Sequence, residues 1–376
     1  MSTTTMLTGN ALAVKNWERK VWLQAMQKTV FAHLFNRGAV YCPPKLMGPS
    51  STGDAITFPY VGKLTGIPIG EGGTVDGNEE ALSLNSHSMV INVSRIPVLN
   101  PNTDTIEQQR TTVEFESTSK DLVAKRCAEL LDTACLYHLA GADPTSFTIN
   151  GTTYASAANK LQAQGHNAPT APTSGRIIRA NAAATDQALT SSDTLTLDMV
   201  DYALELNSRS DQPMELLEDE TFDLFVSPEQ LVDLQQNATG KIQWFNIQLA
   251  KITGGYKDNE LENRFKNNMV CAGRYRNVYI YEAPRTAYGL RSDTSAVITT
   301  VRRAVMVGGD ALSYGSPFGG RPTDKSVPVK YFSMLKDYEY YKGIEARMLY
   351  GVKKMSPANK EDIGVTVLST YAASHS

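Results

Sequence analysis

The residues best able to do chemistry are scattered. Four cysteines, Cys42, Cys127, Cys135 and Cys271, include no close C-x-x-C pair, and of the five histidines only His138, three residues after Cys135, has ligand-like spacing. No second pair completes a metal site, so a helix face that packs is the expected role of Cys135 and His138. The run Gly66-Ile67-Pro68-Ile69-Gly70-Glu71-Gly72-Gly73 has the glycines of a phosphate-cradling loop, but no Gly-Lys-Ser/Thr follows, and Glu71 would repel phosphate. Gly315-Ser316-Pro317-Phe318-Gly319 is not a nucleophile elbow, because Pro317 removes the amide that would serve an oxyanion hole. The carboxylate runs Glu79-Glu80 and Glu218-Asp219-Glu220 read as solvated charge before they read as cation ligands. Trp17, Trp22 and Trp244 lack the basic and aromatic neighbours of a base-stacking platform. No cofactor, metal or catalytic constellation is expected.

Composition narrows the class further. The 376 residues carry 36 Lys+Arg against 39 Asp+Glu, a formal charge of -3 that gives no general attraction to nucleic acid. With 41% hydrophobic and 20% charged residues the chain has material for a packed core. Its start lacks the order of a secretory signal, no run is long and apolar enough to span a bilayer, and the cysteines read as reduced thiols, so a soluble cytosolic chain is expected.

The elements that must position any site differ sharply along the chain. Residues 11–40 place Val14, Trp17, Val21, Trp22, Met26, Val30, Phe31 and Leu34 at mostly helical spacing, an arm whose apolar stripe needs cover. Up to residue 50 this arm holds six basic side chains, Lys15, Arg19, Lys20, Lys28, Arg37 and Lys45, against Glu18 alone. It either touches polyanion or packs on a neighbouring subunit, and the apolar face of Trp17, Val21 and Trp22 favours packing. After Pro43-Pro44 come two strand-like runs, Ala55–Leu64 and Leu82–Val98, joined by a glycine-rich tip. Arms of about 15 residues reach roughly 50 Å, and an isolated two-stranded ribbon is marginal in water, so this hairpin is expected to lie on a partner.

Asp104–Ala140 contains neither Pro nor Gly and sets Val123, Cys127, Leu130, Leu131, Ala134, Cys135 and His138 on one helical face, with Gly141 as its stop. Continuous, it would be a spine of about 55 Å; the alternative is two helices broken near Thr111-Thr112. Residues 143–193 are small and polar and read as an insertion. Beyond them a helix over Leu197–Leu206, a largely buried strand Phe222–Val226, a helix from Pro228, and strands Val278–Tyr281 and Ala304–Val307 make a mixed α/β unit. The end alternates Ile344, Ala346, Met348, Tyr350 and Val352 with Glu345, Arg347 and Lys353, and Gly364–Leu368 reads as a partner run.

At the hairpin the residues become specific. Gly53-Asp54-Ala55-Ile56-Thr57-Phe58, Gly62-Lys63-Leu64-Thr65-Gly66, Asp76-Gly77-Asn78-Glu79-Glu80-Ala81-Leu82 and Arg95 follow in order, and Leu195-Thr196-Leu197-Asp198, Phe225–Leu231 and Gly343–Lys354 continue the series. This pattern resembles the major capsid proteins of tailed phages, in the branch typified by coliphage N-four. Asp76 stands where that pattern has Glu, Ile96-Pro97 interrupts the segment after Arg95, and residues 143–193 match no block. The resemblance implies an α+β fold of the phage Hong Kong ninety-seven type: N-terminal arm (1–50), extended E-loop hairpin (51–100), peripheral domain with its spine helix (101–142) and strands (326–376), and axial domain (195–325), with 143–194 as the polar insertion. It implies a non-enzymatic, shell-forming protein of the virion, made in the bacterial cytoplasm. Its partners would be itself as hexamers and pentamers, portal, scaffold and decoration proteins, and weakly held DNA, with no membrane. The assembly residues it implies are Lys63, Leu64, Gly66, Asn78, Glu79, Glu80 and Arg95 on the E-loop, with Lys63 the candidate donor for a covalent cross-link; Trp17, Val21 and Trp22 are the assembly residues expected on the arm. The competing expectation is a cytosolic α/β enzyme acting on a nucleotide or ester.

Overall fold

The structure, a computed structural model, describes residues 29–42, 55–61, 64, 66–82, 84–101, 105–110, 114–149, 151–210, 212–236, 271–316, 329–338, 340–357 and 361–374. Helix α1 (Val30–Asn36) falls within the expected arm, whose residues 11–28 lie outside the described residues; the Thr29 hydroxyl caps its start by accepting the Ala32 N–H at 3.1 Å. Strand β1 (Val40–Tyr41) follows, then β2 (Ala55–Val61), β3 (Leu84–Val90) and β4 (Asn92–Pro101). The run expected as one strand over 82–98 is two, because β3 pairs with β2 while β4 leaves the hairpin and pairs with a later strand. Between them, Ile91 is buried.

The expected spine is also in two pieces. One turn, α2 (Ile106–Gln109), precedes α3 (Phe115–Ala140), whose 26 residues span about 39 Å. The sequence between them runs Thr111-Thr112-Val113, three β-branched residues that lose rotamer freedom in a helix. The expected apolar face of α3 is buried as read, and from Leu130 to Ala140 every residue is buried, so the last three turns lie inside the protein on all sides. Gly141 ends the helix at φ +56°, where a Cβ would lie 2.5 Å from the Thr170 carbonyl oxygen.

The segment 143–193 is not a detached insertion. It forms a hairpin of β5 (Phe147–Ile149) and β6 (Thr152–Tyr154), helix α4 (Ala157–Ala163) and strand β7 (Ile177–Arg179), which joins a central sheet. Helix α5 (Leu197–Arg209), β8 (Phe222–Val226), α6 (Pro228–Gln236), β9 (Cys271–Tyr275), β10 (Val278–Glu282), β11 (Tyr288–Leu290) and β12 (Val297–Val307) come next, close to the elements expected there. The chain closes with β13 (Leu312–Gly315), β14 (Val329–Lys336), β15 (Tyr341–Lys354) and β16 (Val365–Tyr371).

Two sheets organise these strands. A seven-stranded sheet has the order β7-β16-β12-β8-β10-β9, with β11 on β12. A five-stranded sheet has the order β1-β13-β15-β14, with β4 also on β15. Helix α3 packs on strands of both. In β15 the side chains of Ile344, Ala346, Met348, Tyr350 and Val352 are buried, as their alternation predicts. The expectation that 364–368 pairs with this strand is not met: β16 lies between β12 and β7. Its residues Val365–Thr370 are buried without alternation, the pattern of a strand covered on both faces rather than of a partner to a half-exposed one.

Candidate assembly surface

The β2–β3 hairpin has a bolted root and a bare tip. At the root, Ile56, Phe58, Met89 and Ile91 form a buried cluster against Leu349. Two glycines let it approach: a Cβ on Gly315 would lie 2.6 Å from Met89 Cε, and one on Gly351 would lie 2.3 Å from the Val90 carbonyl oxygen. His87 Nε2 and Ser313 Oγ are 3.1 Å apart, and Lys353 Nζ donates to the Ser88 carbonyl at 2.7 Å. Asn167 closes the joint. Its Oδ1 accepts the Val90 N–H at 2.9 Å, and its Nδ2 donates to the carbonyls of Val90, Gly165 and Val352 at 3.0–3.1 Å. Next to it, His166 Nε2 meets Ser94 Oγ at 3.0 Å. The polar segment that matches no block in the sequence therefore supplies the clamp.

Beyond the last register pair, Val61 with Leu84, the hairpin carries Leu64, Ile67, Ile69, Val75 and Leu82 exposed, with Ile67 90% exposed. The described tip residues between them include four acids, Glu71, Asp76, Glu79 and Glu80, and no base. A turn at Val75–Asn78 places Gly77 at φ +88°, and the Asn78 N–H donates to the Val75 carbonyl at 3.0 Å. Asn78 Nδ2 also donates to the Thr74 carbonyl at 2.9 Å, Glu79 Oε2 accepts the Gly77 N–H at 2.8 Å, and Glu80 accepts the Gly66 N–H across the tip. Gly66, Asn78, Glu79 and Glu80, four of the residues expected on the E-loop, thus brace the tip internally, while Leu64 faces solvent. Lys63, Trp17, Val21 and Trp22 lie outside the described residues.

Arg95 is a correction, for it is not on the hairpin. It stands on β4 opposite Arg347 of β15, and both guanidiniums hold the Glu345 carboxylate, Arg95 Nη2 at 2.9 Å and Arg347 Nε at 2.7 Å. Those bonds press the Glu345 pKa down to about 2. Arg347 also lies over the Phe332 ring, 4.0 Å from its centroid. Arg95 therefore belongs to the outward face of the five-stranded sheet. Among the described residues β2 and β3 pair only with each other and β14 only with β15; the backbone of β3 is met in part by Asn167 at Val90 and by Lys353 at Ser88.

Cys135 and His138 are both buried in α3, with His138 Nε2 bonded to the Gln164 carbonyl at 2.8 Å. No cluster of three or more metal-ligating side chains occurs among the described residues, and Asp219 pairs with Arg37 at 3.1 Å. No described helix is long and apolar enough to cross a membrane. Sequence reading missed Asn167, His166, His87, Gly315 and Gly351; Gly351 inside an alternating strand was the one available signal, since glycine there marks a close approach.

Three histidines near the root have depressed pKa values of about 4: His87 through burial and then the Lys353 ammonium, His138 through burial first, and His166 through burial. The folded state therefore favours their neutral forms. Their stabilisation is complete above the ordinary histidine value of about 6.5 and is lost as pH falls from there through 4. Asp132, pushed up to about 7 by burial, and Asp310, raised by burial and then by Glu215, work in the opposite sense, but two such groups oppose three. The subunit's unfolding midpoint is expected to fall steadily between pH 6.5 and 4; a midpoint flat across that window would contradict this assignment.

A family model described as "Phage capsid protein" matches residues 4–374. The chain belongs to this family. Among solved structures, the capsid of Ralstonia phage GP4 superposes with a TM-score of 0.69 at 19% identity, covering 100% of both chains. The capsid of cyanophage Pam1 gives 0.60 at 15% identity over 90% of this chain and 92% of that one, and the head of Helicobacter pylori bacteriophage KHP40 gives 0.58 at 10% identity over 92% of each. No curated protein matches the sequence. The fold is the Hong Kong ninety-seven type of tailed-phage capsids, and the protein is a major capsid protein, a shell-forming subunit that associates with itself in the virion. Membership in this family removes the enzyme alternative as the reading of its function.

Proposed function

We propose that the chain builds an icosahedral shell from hexamers and pentamers of itself around a double-stranded DNA genome, and that it does so without catalysis. The observation that carries this reading is the hairpin: a root locked by a buried cluster and the Asn167 clamp holds exposed apolar residues that the other described residues do not cover. In this reading the β2–β3 hairpin is the E-loop. The five-stranded sheet with α3 is the peripheral domain, and the seven-stranded sheet, β16 included, is the axial domain. The clamp of residues 163–167 is shared rather than inserted. Portal, scaffold and decoration proteins are the further partners, and synthesis takes place in the host cytoplasm. The hairpin motifs favour the coliphage N-four type branch. Subunits hold one another without a covalent link through Lys63, and the arm of Trp17, Val21 and Trp22 packs on a neighbour, leaving DNA contact weak and independent of base sequence.

Leu64 and Ile67 test this directly. Replacing both with serine is expected to leave the subunit's melting unchanged, because neither is buried, and to reduce the yield of sedimentable shells several-fold. Full shell yield from the double variant would refute the proposed role of the tip.

A further inference from the structure

Asp76, which stands where the capsid pattern has Glu, is followed by glycine, and this is the only Asp-Gly step in the chain. The amide nitrogen of a residue after aspartate can attack the aspartyl Cγ and close a five-membered succinimide, and a side chain on that residue hinders the approach. Gly77 has none. A Cβ built on it would meet nothing within 4 Å, so the space beside this nitrogen is open. Asp76 is itself exposed, and its carboxylate has no hydrogen-bond or ion-pair partner among the described residues. Glutamate, one methylene longer, would have to close a six-membered ring, which forms far more slowly.

The turn supplies a base as well. Gly77 is the third residue of the Val75–Asn78 turn, at φ +88°, and its N–H donates to Glu79 Oε2 at 2.8 Å. A carboxylate within hydrogen-bond reach of the attacking nitrogen is placed to take its proton. Ring closure also needs rotation about the Asp76 Cα–C bond. The hydrogen bonds that resist it join residues 74–79 to one another, and none of the buried clusters includes this turn.

We propose that Asp76-Gly77 is a self-modification site, at which unassembled subunits convert aspartate to isoaspartate with Glu79 as the base. The Asp76 carboxyl enters protonated. The bond from Gly77 N to Asp76 Cγ forms, the amide proton passes to Glu79, and the carboxyl hydroxyl leaves with that proton as water. Water then opens the ring: breaking the bond to Cγ restores aspartate, and breaking the bond to the main-chain carbonyl leaves isoaspartate, with the Asp76 Cβ now inside the backbone. No oxidant or cofactor takes part, and the final mass is that of the parent. The extra backbone atom undoes the closure of Asn78 on Val75 and displaces the braces at Asn78 and Glu79. The consequence for function rests on the tip being an assembly element: a subunit kept too long outside a shell loses the ability to enter one.

Dissociated subunits held for weeks at neutral pH and physiological temperature, then digested with trypsin, are expected to accumulate isoaspartate in the peptide of residues 64–95. It is read as a shift in retention without a change in mass, and as methyl transfer to the peptide by an isoaspartyl methyltransferase. Conversion at Asn150-Gly151, the chain's one Asn-Gly step, raises the mass and falls in another peptide. Asp76→Glu should abolish the signal, and Glu79→Gln should slow it several-fold. Shell yield from aged parent subunits should fall in step with the modified fraction, while aged Asp76→Glu subunits keep theirs. The proposal is overturned by an unmodified residue 76 in the aged parent, by a Glu79→Gln rate equal to or above the parent's, or by equal loss of yield in the parent and Asp76→Glu. Fresh parent subunits that form no shells would refute the assembly reading and the consequence drawn from it, whereas isoaspartate is read on the peptide and stands or falls separately.

Discussion

Deleting the hairpin tip, residues 62–83, and joining Val61 to Leu84 through an Asn-Gly turn is expected to leave a folded subunit that forms no shells. Val61 and Leu84 are the last register pair of an antiparallel ladder, which a two-residue turn can close without shifting β2 or β3. The described tip residues contribute to none of the buried clusters, so their loss removes no core. The thermal midpoint should therefore stay within a degree or two of the parent. Assembly should fail outright, since the deletion takes Leu64, Ile67, Ile69, Val75 and Leu82 together. The boundaries matter. A cut from Ile56 to Ile96 would strip the root cluster and half of β4, and loss of shells would then report misfolding. Shells of normal size from the 62–83 deletion would show that the hairpin is not an assembly element.

The second large effect lies in α3. Leu130→Asp together with Ala134→Asp is expected to prevent folding, because Leu130 is 8% and Ala134 0% exposed inside the stretch of helix that is buried on all sides. A carboxylate at these positions is taken out of water, and either it stays charged at a cost of several kcal/mol or it takes up a proton at a cost nearly as large. Two such sites approach the whole stability of a typical domain, about 5–15 kcal/mol. Circular dichroism and gel filtration should show an unfolded or aggregated chain. Leu122→Asp, two turns earlier on the same helix and 57% exposed, is the control and should melt like the parent. Unchanged melting of the buried double variant would mean that α3 is not the core helix.

These two variants also show what the sequence makes legible. The buried face of α3, the alternation of β15 and the run of β8, apolar except for Asp223, rest on local pattern, which one chain displays without a partner. The hairpin's glycine-rich tip was readable from its local composition, whereas Gly66, Asn78, Glu79 and Glu80 came with the family resemblance as assembly residues and not as the internal braces they form. Contacts remote in sequence were not. Asn167 meets Val90 across 77 residues and Val352 across 185, and no periodicity marks an asparagine that bridges β3 and β15. The split at Ile91 was hidden because both β3 and β4 are rich in strand formers, and only the choice of partner separates them. Pairing of β16 was misread because proximity in sequence favoured β15, whereas burial on both faces requires a place inside the larger sheet. Arg95 followed the hairpin motifs in sequence yet joins the Glu345 and Arg347 network on the sheet, where three alternating charges hold one another.

The most direct measurement is electron microscopy of the purified chain, paired with sedimentation at the same concentration. Closed shells of uniform diameter, or capsomers that close into them, are the predicted result. They should dissolve in the 62–83 deletion while its melting stays unchanged. A parent chain that remains a monomer or a small soluble oligomer under all assembly conditions, with the deletion behaving identically, would contradict the account.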